Sequence, residues 1–479
     1  MRFDYFKEKG IHNMNSSKGE WGSNIGFLMA AVGSAVGLGN LWGFPYKMGM
    51  NGGFAFLLFY LILAVLVGFV IMLGELTIGR HAGKGVVAAY SSIGKKYIAL
   101  GWMAFLCPIL ILAFYCSLGG YCLKYALANF GDIFGASWGV NGADATDYFV
   151  NFYTNGLAAS IYAVLFTLIT IIIVMGGISG GIEKFSKIAM PALFVLLLLV
   201  IIRGVTLPGA SEGLKFMFSP NWEVFHGFGW VSVLATAGGQ MFFSLSLGMG
   251  CMITYGSYLS KKENIEINSF IIPFADTAVA LMAGLAVFPA VFAMGMQPTG
   301  GPGLLFMTLQ AVFDSMGAAG PIFGFLLYFL VFIAAVTSSI SLMEVVVSVI
   351  IDRKEEKGQV ASRKKISLIV GSILCILTIL ISLDSLGEGS LPKLLGFCWL
   401  DFFDLLSEGI MMPVGALLMS LIIGWRLGRE WMREELCQEG NKWRFEKFAM
   451  FCLKYIAPIG MAIILLGQID GFFKLGIFS

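Results

Sequence analysis

Long apolar runs separated by short polar loops recur from Asn24 to Asp470, and most are long enough to cross about 30 Å of hydrocarbon. The pattern predicts eleven membrane-spanning helices. They fall near residues 24–47, 54–79, 97–123, 157–178, 186–206, 229–257, 267–294, 321–350, 366–384, 396–424 and 447–470. Two of these runs are interrupted by glycine, at Gly33-Ser34-Ala35-Val36-Gly37-Leu38-Gly39-Asn40 and at Phe243-Ser244-Leu245-Ser246-Leu247-Gly248-Met249-Gly250. Glycine weakens a helix and small hydroxyl residues compete for its backbone hydrogen bonds, so spans 1 and 6 are expected to come partly unwound. Unwound backbone at membrane depth is tolerated only where protein buries it or where it lines a cavity. The two breaks therefore mark the expected binding site, and the chain reads as a transporter.

Cations sharpen this topology. Lysines 7, 9 and 18, then Arg80, Lys84, Lys95 and Lys96, then Lys184 and Lys187, then Lys261 and Lys262 occupy every second loop. The series continues through Arg353 to Lys365 and Arg426 to Lys447, and the positive-inside rule places all of these loops in the cytoplasm. The amino terminus, polar and without a signal-peptide core, is expected to stay inside, and eleven spans put the carboxyl terminus outside. Segments 132–155 and 294–320 are then expected to be extracellular. Of 479 residues, 58% are hydrophobic and 13% charged, against about 25% charged in soluble domains. The net charge of +2 comes from loop asymmetry and forms no aromatic-studded basic face, so nucleic acid is not an expected partner. The eight cysteines show no metal-ligand spacing and are expected to be packing residues. No nucleotide-binding loop is visible, which leaves ion gradients as the energy source.

An unwound break offers backbone amides in one direction and carbonyls in the other, so one site can take a carboxylate, an ammonium and a cation. Hard cations such as sodium take oxygen ligands, and Asn40, Ser244, Asp276, Thr337 and Ser338 supply them within spans. Taken alone, Thr337-Ser338-Ser339 reads as hydroxyls bonded to their own or a neighbouring helix. A carboxylate inside a span is costly and marks an ion pathway or a buried partner, which applies to Asp276, Glu75 and Glu344. For Glu75 the competing role is structural, accepting hydrogen bonds from the broken backbone of spans 1 and 6. Glu344 has the same alternative, holding neighbouring helices together. Tyr115 beside Phe114, taken by itself, reads as core packing rather than as a gate.

These residues resemble the neurotransmitter:sodium symporters, and specifically the bacterial amino-acid transporters with the LeuT fold. The resemblance spans nearly the whole chain. It rests on Trp21-Gly22-Ser23, the run Gly33 to Trp42 with Phe44-Pro45, Asn51-Gly52-Gly53, Gly74-Glu75, Gly79-Arg80, Gly181 to Lys184 with Met190-Pro191, Gln240 with Phe242 to Gly248, and Thr337-Ser338-Ser339. It implies an all-α polytopic membrane protein with a 5+5 inverted repeat, unwound helices 1 and 6, and an eleventh helix. A broken-helix pair meeting at a midplane site is a feature of that group itself, so this expectation comes with the resemblance. The units would be a cytoplasmic segment 1–23, a first repeat 24–206, a second repeat 229–424 and the last helix 447–470.

Carried over residue by residue, the resemblance implies two sodium sites. The first uses the Ala35 carbonyl, Asn40, Ser244 and Asp276, completed by the substrate's carboxylate. The second uses the carbonyls of Gly33, Val36 and Ala334 with the hydroxyls of Thr337 and Ser338. An amino acid would present its carboxylate to the amides of Leu38 and Gly39 and to the Tyr115 hydroxyl. Its ammonium would meet carbonyls of Ala35, Phe243 and Ser244 and the Ser246 hydroxyl. Its side chain would lie among Ser34, Ile111, Phe243, Met249, Ser338 and Leu342. This wall carries no charge, so neutral hydrophobic L-amino acids are expected, with Met249 flexible enough to refit around different sizes.

The chain also departs from the family pattern. Gly43 stands where an outer-gate arginine is common, leaving Asp401 and Asp404 near the expected acidic place. At the inner side Lys18 replaces a common arginine, facing Asp352 with Trp21 and Tyr258 nearby; lysine lacks arginine's bidentate fork. Asp276 replaces a neutral asparagine and Ala280 a chloride-binding serine, so chloride independence is expected. The expected function is sodium-coupled symport by alternating access. The alternatives are a transporter of another small zwitterion or amine, and a non-transporting amino-acid sensor. No nucleophile, base and orienting group stand together, so an enzyme is not expected, and nothing points to an obligatory protein partner.

Overall fold

The computed structural model describes residues 19–478 except 141, 223–225, 227–228 and 299–300. Among the described residues nine continuous helices are long and apolar enough to cross a membrane, and a tenth span is the pair Asn24–Ala35 and Gly39–Met50, bent by 42°. Helices Gly229–Ser244 and Cys251–Gly256 flank the second interruption and make up span 6. The continuous spans are Phe54–Ala82 (2), Lys95–Ile133 (3), Gly156–Met175 (4), Ile178–Val205 (5), Ile265–Ala293 (7), Gly317–Glu356 (8), Arg363–Gly387 (9), Trp399–Leu436 (10) and Glu446–Phe473 (11).

Several helices outrun the apolar stretch that announces them. Span 3 runs to Ile133 and span 8 to Glu356, past the expected ends at 123 and 350, while span 10 breaks at Gly428 (φ +80°) into the charged helix Gly428–Leu436, which turns Met432 and Leu436 inward and its arginines out. Hydropathy marks where a helix leaves lipid, not where its backbone stops hydrogen bonding. The polar segment 132–155 likewise contains the helix Ala145–Thr154, capped by Asp144, which accepts from the amides of Thr146 and Asp147. The segment 294–320 holds another, Thr308–Ser315.

Spans 3 and 8 pack along one another and carry spans 4 and 9 on their outer side. Span 1 lies against spans 5, 7 and 8, while span 6 packs on span 2 and span 11. The two broken spans therefore occupy the middle of the bundle. Large apolar side chains are left outward on the peripheral spans, including Ile172, Ile188, Phe274, Ile376 and Ile459, as a lipid-facing surface requires.

Candidate functional site

Span 1 opens with Ser23 capping the amide of Gly26, and Glu183 of span 5 accepts from the Gly22 amide and the Ser23 hydroxyl. Its helix stops at Ala35, where Val36 turns to extended backbone, and resumes at Gly39. In span 6 the break begins after Ser244. Ser246 takes φ +53°, a conformation costly for a residue with a side chain, and Gly248 takes φ +77° against the backbone of Met412. The strained hydroxyl is held by its own bond to the Ser34 carbonyl at 2.9 Å, which ties one break to the other.

Between the breaks lies a small cavity of about 20 Å³, room for a water or two. All the residues expected around a ligand line it except Leu38 and Ser244, and Gly37 joins them. Leu38 stands behind the wall, donating its amide to the Tyr115 hydroxyl at 3.1 Å. Tyr115 and Phe243 tilt together over the cavity with ring centres 6.4 Å apart. Gly37 is there because a Cβ would stand 2.6 Å from the Tyr115 hydroxyl and closer still to Ser338 Oγ. At the other end Ser34 donates to Ser341 at 2.7 Å and to Ser246 at 3.2 Å, so the pocket floor carries hydroxyls. Ser341 was not among the expected residues.

Ser244 turns away from the cavity toward Asp276. Its hydroxyl lies 3.0 Å from both carboxylate oxygens, Asn40 Nδ2 donates to one of them at 2.7 Å, and Tyr60 donates to the other at 3.0 Å. Asn40 is oriented in turn by the Gly37 amide, donating to its Oδ1 at 3.0 Å. No lysine or arginine pairs with Asp276 among the described residues. This is a fully buried carboxylate held by neutral donors beside the end of helix Asn24–Ala35, with the Ser244 and Tyr60 hydroxyls and the Asn40 amide around it. Tyr60 was missed by sequence reasoning. The available signal was a lone phenol in the apolar run Phe54–Leu63, whose hydroxyl needs a partner.

The oxygens expected for a second cation also converge. Thr337 Oγ1 lies 2.8 Å from the Ala334 carbonyl and 3.5 Å from that of Val36, and Ser338 Oγ lies 3.4 Å from that of Gly33. Span 8 thus meets the break of span 1 through two hydroxyls set against the Gly33 and Val36 carbonyls, with Ser338 Oγ closer still, at 3.0 Å, to the Ser34 carbonyl.

Glu75 accepts from the Gly248 amide at 2.7 Å and serves the span 6 break; among the described residues it makes no hydrogen bond to span 1. Gln240 serves the span 1 break instead, donating to the Gly39 carbonyl at 2.6 Å. Glu344 accepts from the Tyr258 hydroxyl at 2.6 Å and pairs with Arg363, joining spans 6, 8 and 9. Trp21 packs edge-on against Tyr255 and Tyr258 and donates to the Tyr255 carbonyl at 3.1 Å. Asp352 accepts a short bond from the Gly85 amide. Lys18 lies outside the described residues.

On the opposite side Gly43 leaves no charge, and a Cβ there would stand 2.8 Å from Gln240. The cation is supplied one turn later by Lys47, and its partner is Glu408 of span 10 at 2.6 Å, with neither Asp401 nor Asp404 in the ion pair. Both side chains are nearly buried, 15% and 8% exposed.

A family model described as the Sodium:neurotransmitter symporter family matches residues 18–142 and 153–477. The sodium-dependent transporter YhdH of Bacillus subtilis is 36% identical, over 94% of this chain and 97% of its own. A sodium-dependent transporter of Haemophilus influenzae is 32% identical over 96% and 99%. The human sodium- and chloride-dependent GABA transporter 2 is 26% identical over 88% and 75%. Among solved structures, the crystal structure of MhsT in complex with L-phenylalanine is 38% identical with a TM-score of 0.84, covering 94% of this chain and 100% of that one.

Proposed function

The chain belongs to the sodium:neurotransmitter symporter family, has the LeuT fold and is a sodium-dependent membrane transporter, and we propose that its cargo is a neutral, hydrophobic L-amino acid. The observation that carries this reading is the pocket between the two breaks. It has the Tyr115 phenol with the Leu38 amide behind it at one end, apolar Ile111, Met249 and Leu342 along its side, and no formal charge on its wall. An α-amino acid matches the polar end by its common part, and its side chain matches the remainder. MhsT, 38% identical to this chain, was crystallised with the aromatic amino acid L-phenylalanine, which favours the same class here.

Two sodium ions accompany the cargo in this proposal. One sits with Asp276, Asn40, Ser244 and the substrate carboxylate, the other between Thr337, Ser338 and the carbonyls of span 1. The fixed charge of Asp276, held by Tyr60, Asn40 and Ser244, replaces chloride. The basic loops face the cytoplasm of a plasma membrane, so the Lys47–Glu408 pair closes the outer path and the Trp21, Tyr258 and Asp352 contacts close the inner one. At about 20 Å³ the site is too small for an amino acid, and a ligand enters only as spans 1 and 6 move away from spans 3 and 8. Uptake of a mixture of labelled neutral amino acids into proteoliposomes, with and without an inward sodium gradient, tests this. Gradient-driven accumulation supports coupled symport, while sodium-dependent binding without accumulation would make the protein a sensor.

A further inference from the structure

At the edge of the bundle the hairpin joining spans 8 and 9 forms a cleft of about 180 Å³ that the transport path does not use. Its inner wall is Ile350, Ile366 and Ile369, and its mouth carries Lys354 and Lys365. Each lysine stands one helical turn beyond an isoleucine, Lys354 after Ile350 and Lys365 before Ile369, so a cation tops an apolar rail on both helices. No carboxylate lines the cleft, and neither lysine makes an ion pair among the described residues. Ile369 is 52% exposed on the lipid-facing side, and Val360, at the tip of the hairpin, is 94% exposed. An apolar tip in a basic loop fits the boundary between headgroups and hydrocarbon better than bulk water.

We propose that this cleft binds an anionic phospholipid of the cytoplasmic leaflet, its phosphate between Lys354 and Lys365 and one acyl chain along Ile350, Ile366 and Ile369. Two cations without an ion pair among the described residues, spaced across a groove whose floor is apolar, complement a molecule that is anionic at one end and aliphatic at the other. Anionic headgroups attract lysines close to the membrane surface, and the isoleucines select a lipid over a free anion. The site touches the gating side of the bundle. Arg363, two residues before Lys365, pairs with Glu344 and donates to the Val174 carbonyl at 3.1 Å, and Glu344 also holds Tyr258. A bound lipid bridges span 8 to span 9 beside that network.

The test is native mass spectrometry of the full chain, delipidated in detergent and titrated with phosphatidylglycerol or with phosphatidylcholine of the same acyl chains. Detergent titration does not depend on the orientation or cargo proposed above. Wild type is expected to hold phosphatidylglycerol at least roughly tenfold more tightly than phosphatidylcholine. Lys354→Gln/Lys365→Gln is expected to weaken phosphatidylglycerol about thirtyfold, taking on the order of fivefold per lysine, and each single variant by part of that. Lys95→Gln/Lys96→Gln, with equal charge removed from another exposed basic loop, is expected to leave the affinity unchanged. Equal retention of both lipids, or an equal loss in the Lys95/Lys96 control, overturns the site. So does full displacement of phosphatidylglycerol by millimolar inorganic phosphate, which would make the cleft a free-anion pocket.

Discussion

Lys47 Nζ lies 2.6 Å from Glu408 Oε1, joining the far end of span 1 to the first third of span 10 across 361 residues of sequence. Gly43 leaves without a side chain the position where the family resemblance implies an arginine, and Gln240 stands in that space. The charge is restored one helical turn further out, where 3.6 residues bring Lys47 back to the same face. Glu408 can meet it because a widened turn, Leu405–Met411, rotates span 10 at that point.

Breaking this pair on one side leaves a buried charge unpaired, at a cost of about 3–5 kcal/mol. Lys47→Met and Glu408→Gln are each expected to lower the melting temperature and to slow uptake, whereas the double variant recovers at least half of the lost stability. Additive losses in a thermal double-mutant cycle would show that the two side chains do not work as a pair.

Asp276→Asn removes the only formal charge beside Asn40 and Ser244 among the described residues. The sodium concentration for half-maximal uptake should rise roughly a hundredfold, about 2.7 kcal/mol, on the scale of a charged hydrogen bond. Tyr60→Phe, which takes one donor from the same carboxylate, should have a smaller effect in the same direction. Wild-type uptake should be unchanged when gluconate replaces chloride, and a collapse there would remove Asp276 from the role of fixed anion.

Thr337→Ala combined with Ser338→Ala takes both hydroxyls from the place where span 8 meets the break of span 1. The dependence of uptake on sodium is expected to change from sigmoidal to hyperbolic, with sodium-dependent binding of cargo retained at the Asp276 site. A sigmoidal curve in the double variant would argue against a second ion there.

Met249 is a flexible side chain in the pocket wall between Gly248 and Gly250, both at positive φ. Met249→Phe should shift the competition profile among Leu, Met, Tyr and Trp toward the smaller ligands. An unaltered profile would put the cargo side chain somewhere else.

The breaks, their hydroxyls and Asp276 were legible because each violates a local rule: glycine in a helix, or a carboxylate in a bilayer. Lys47 and Glu408 were overlooked although they break the same rule, because the family pattern points to the arginine position and its nearby acids. Ser341 carries no local signal at all. A serine in a span normally bonds back to its own helix, as Ser341 does to the Ser338 carbonyl, and its second contact with Ser34 depends on how spans 1 and 8 are rotated.

Sequence alone determined the membrane class, the eleven spans, the two interruptions and the oxygen-bearing residues around them, since hydropathy, glycine and intramembrane charge act over a few residues. Tertiary structure alone decided which oxygens meet. It supplied Tyr60 from span 2 to the Asp276 carboxylate, set Ser341 against Ser34, and paired Lys47 with Glu408 in place of Asp401 or Asp404. The physical reason is that a helix presents a new face every 100° per residue. A partner on another helix is therefore set by rotation and depth, and packing of the whole bundle fixes both.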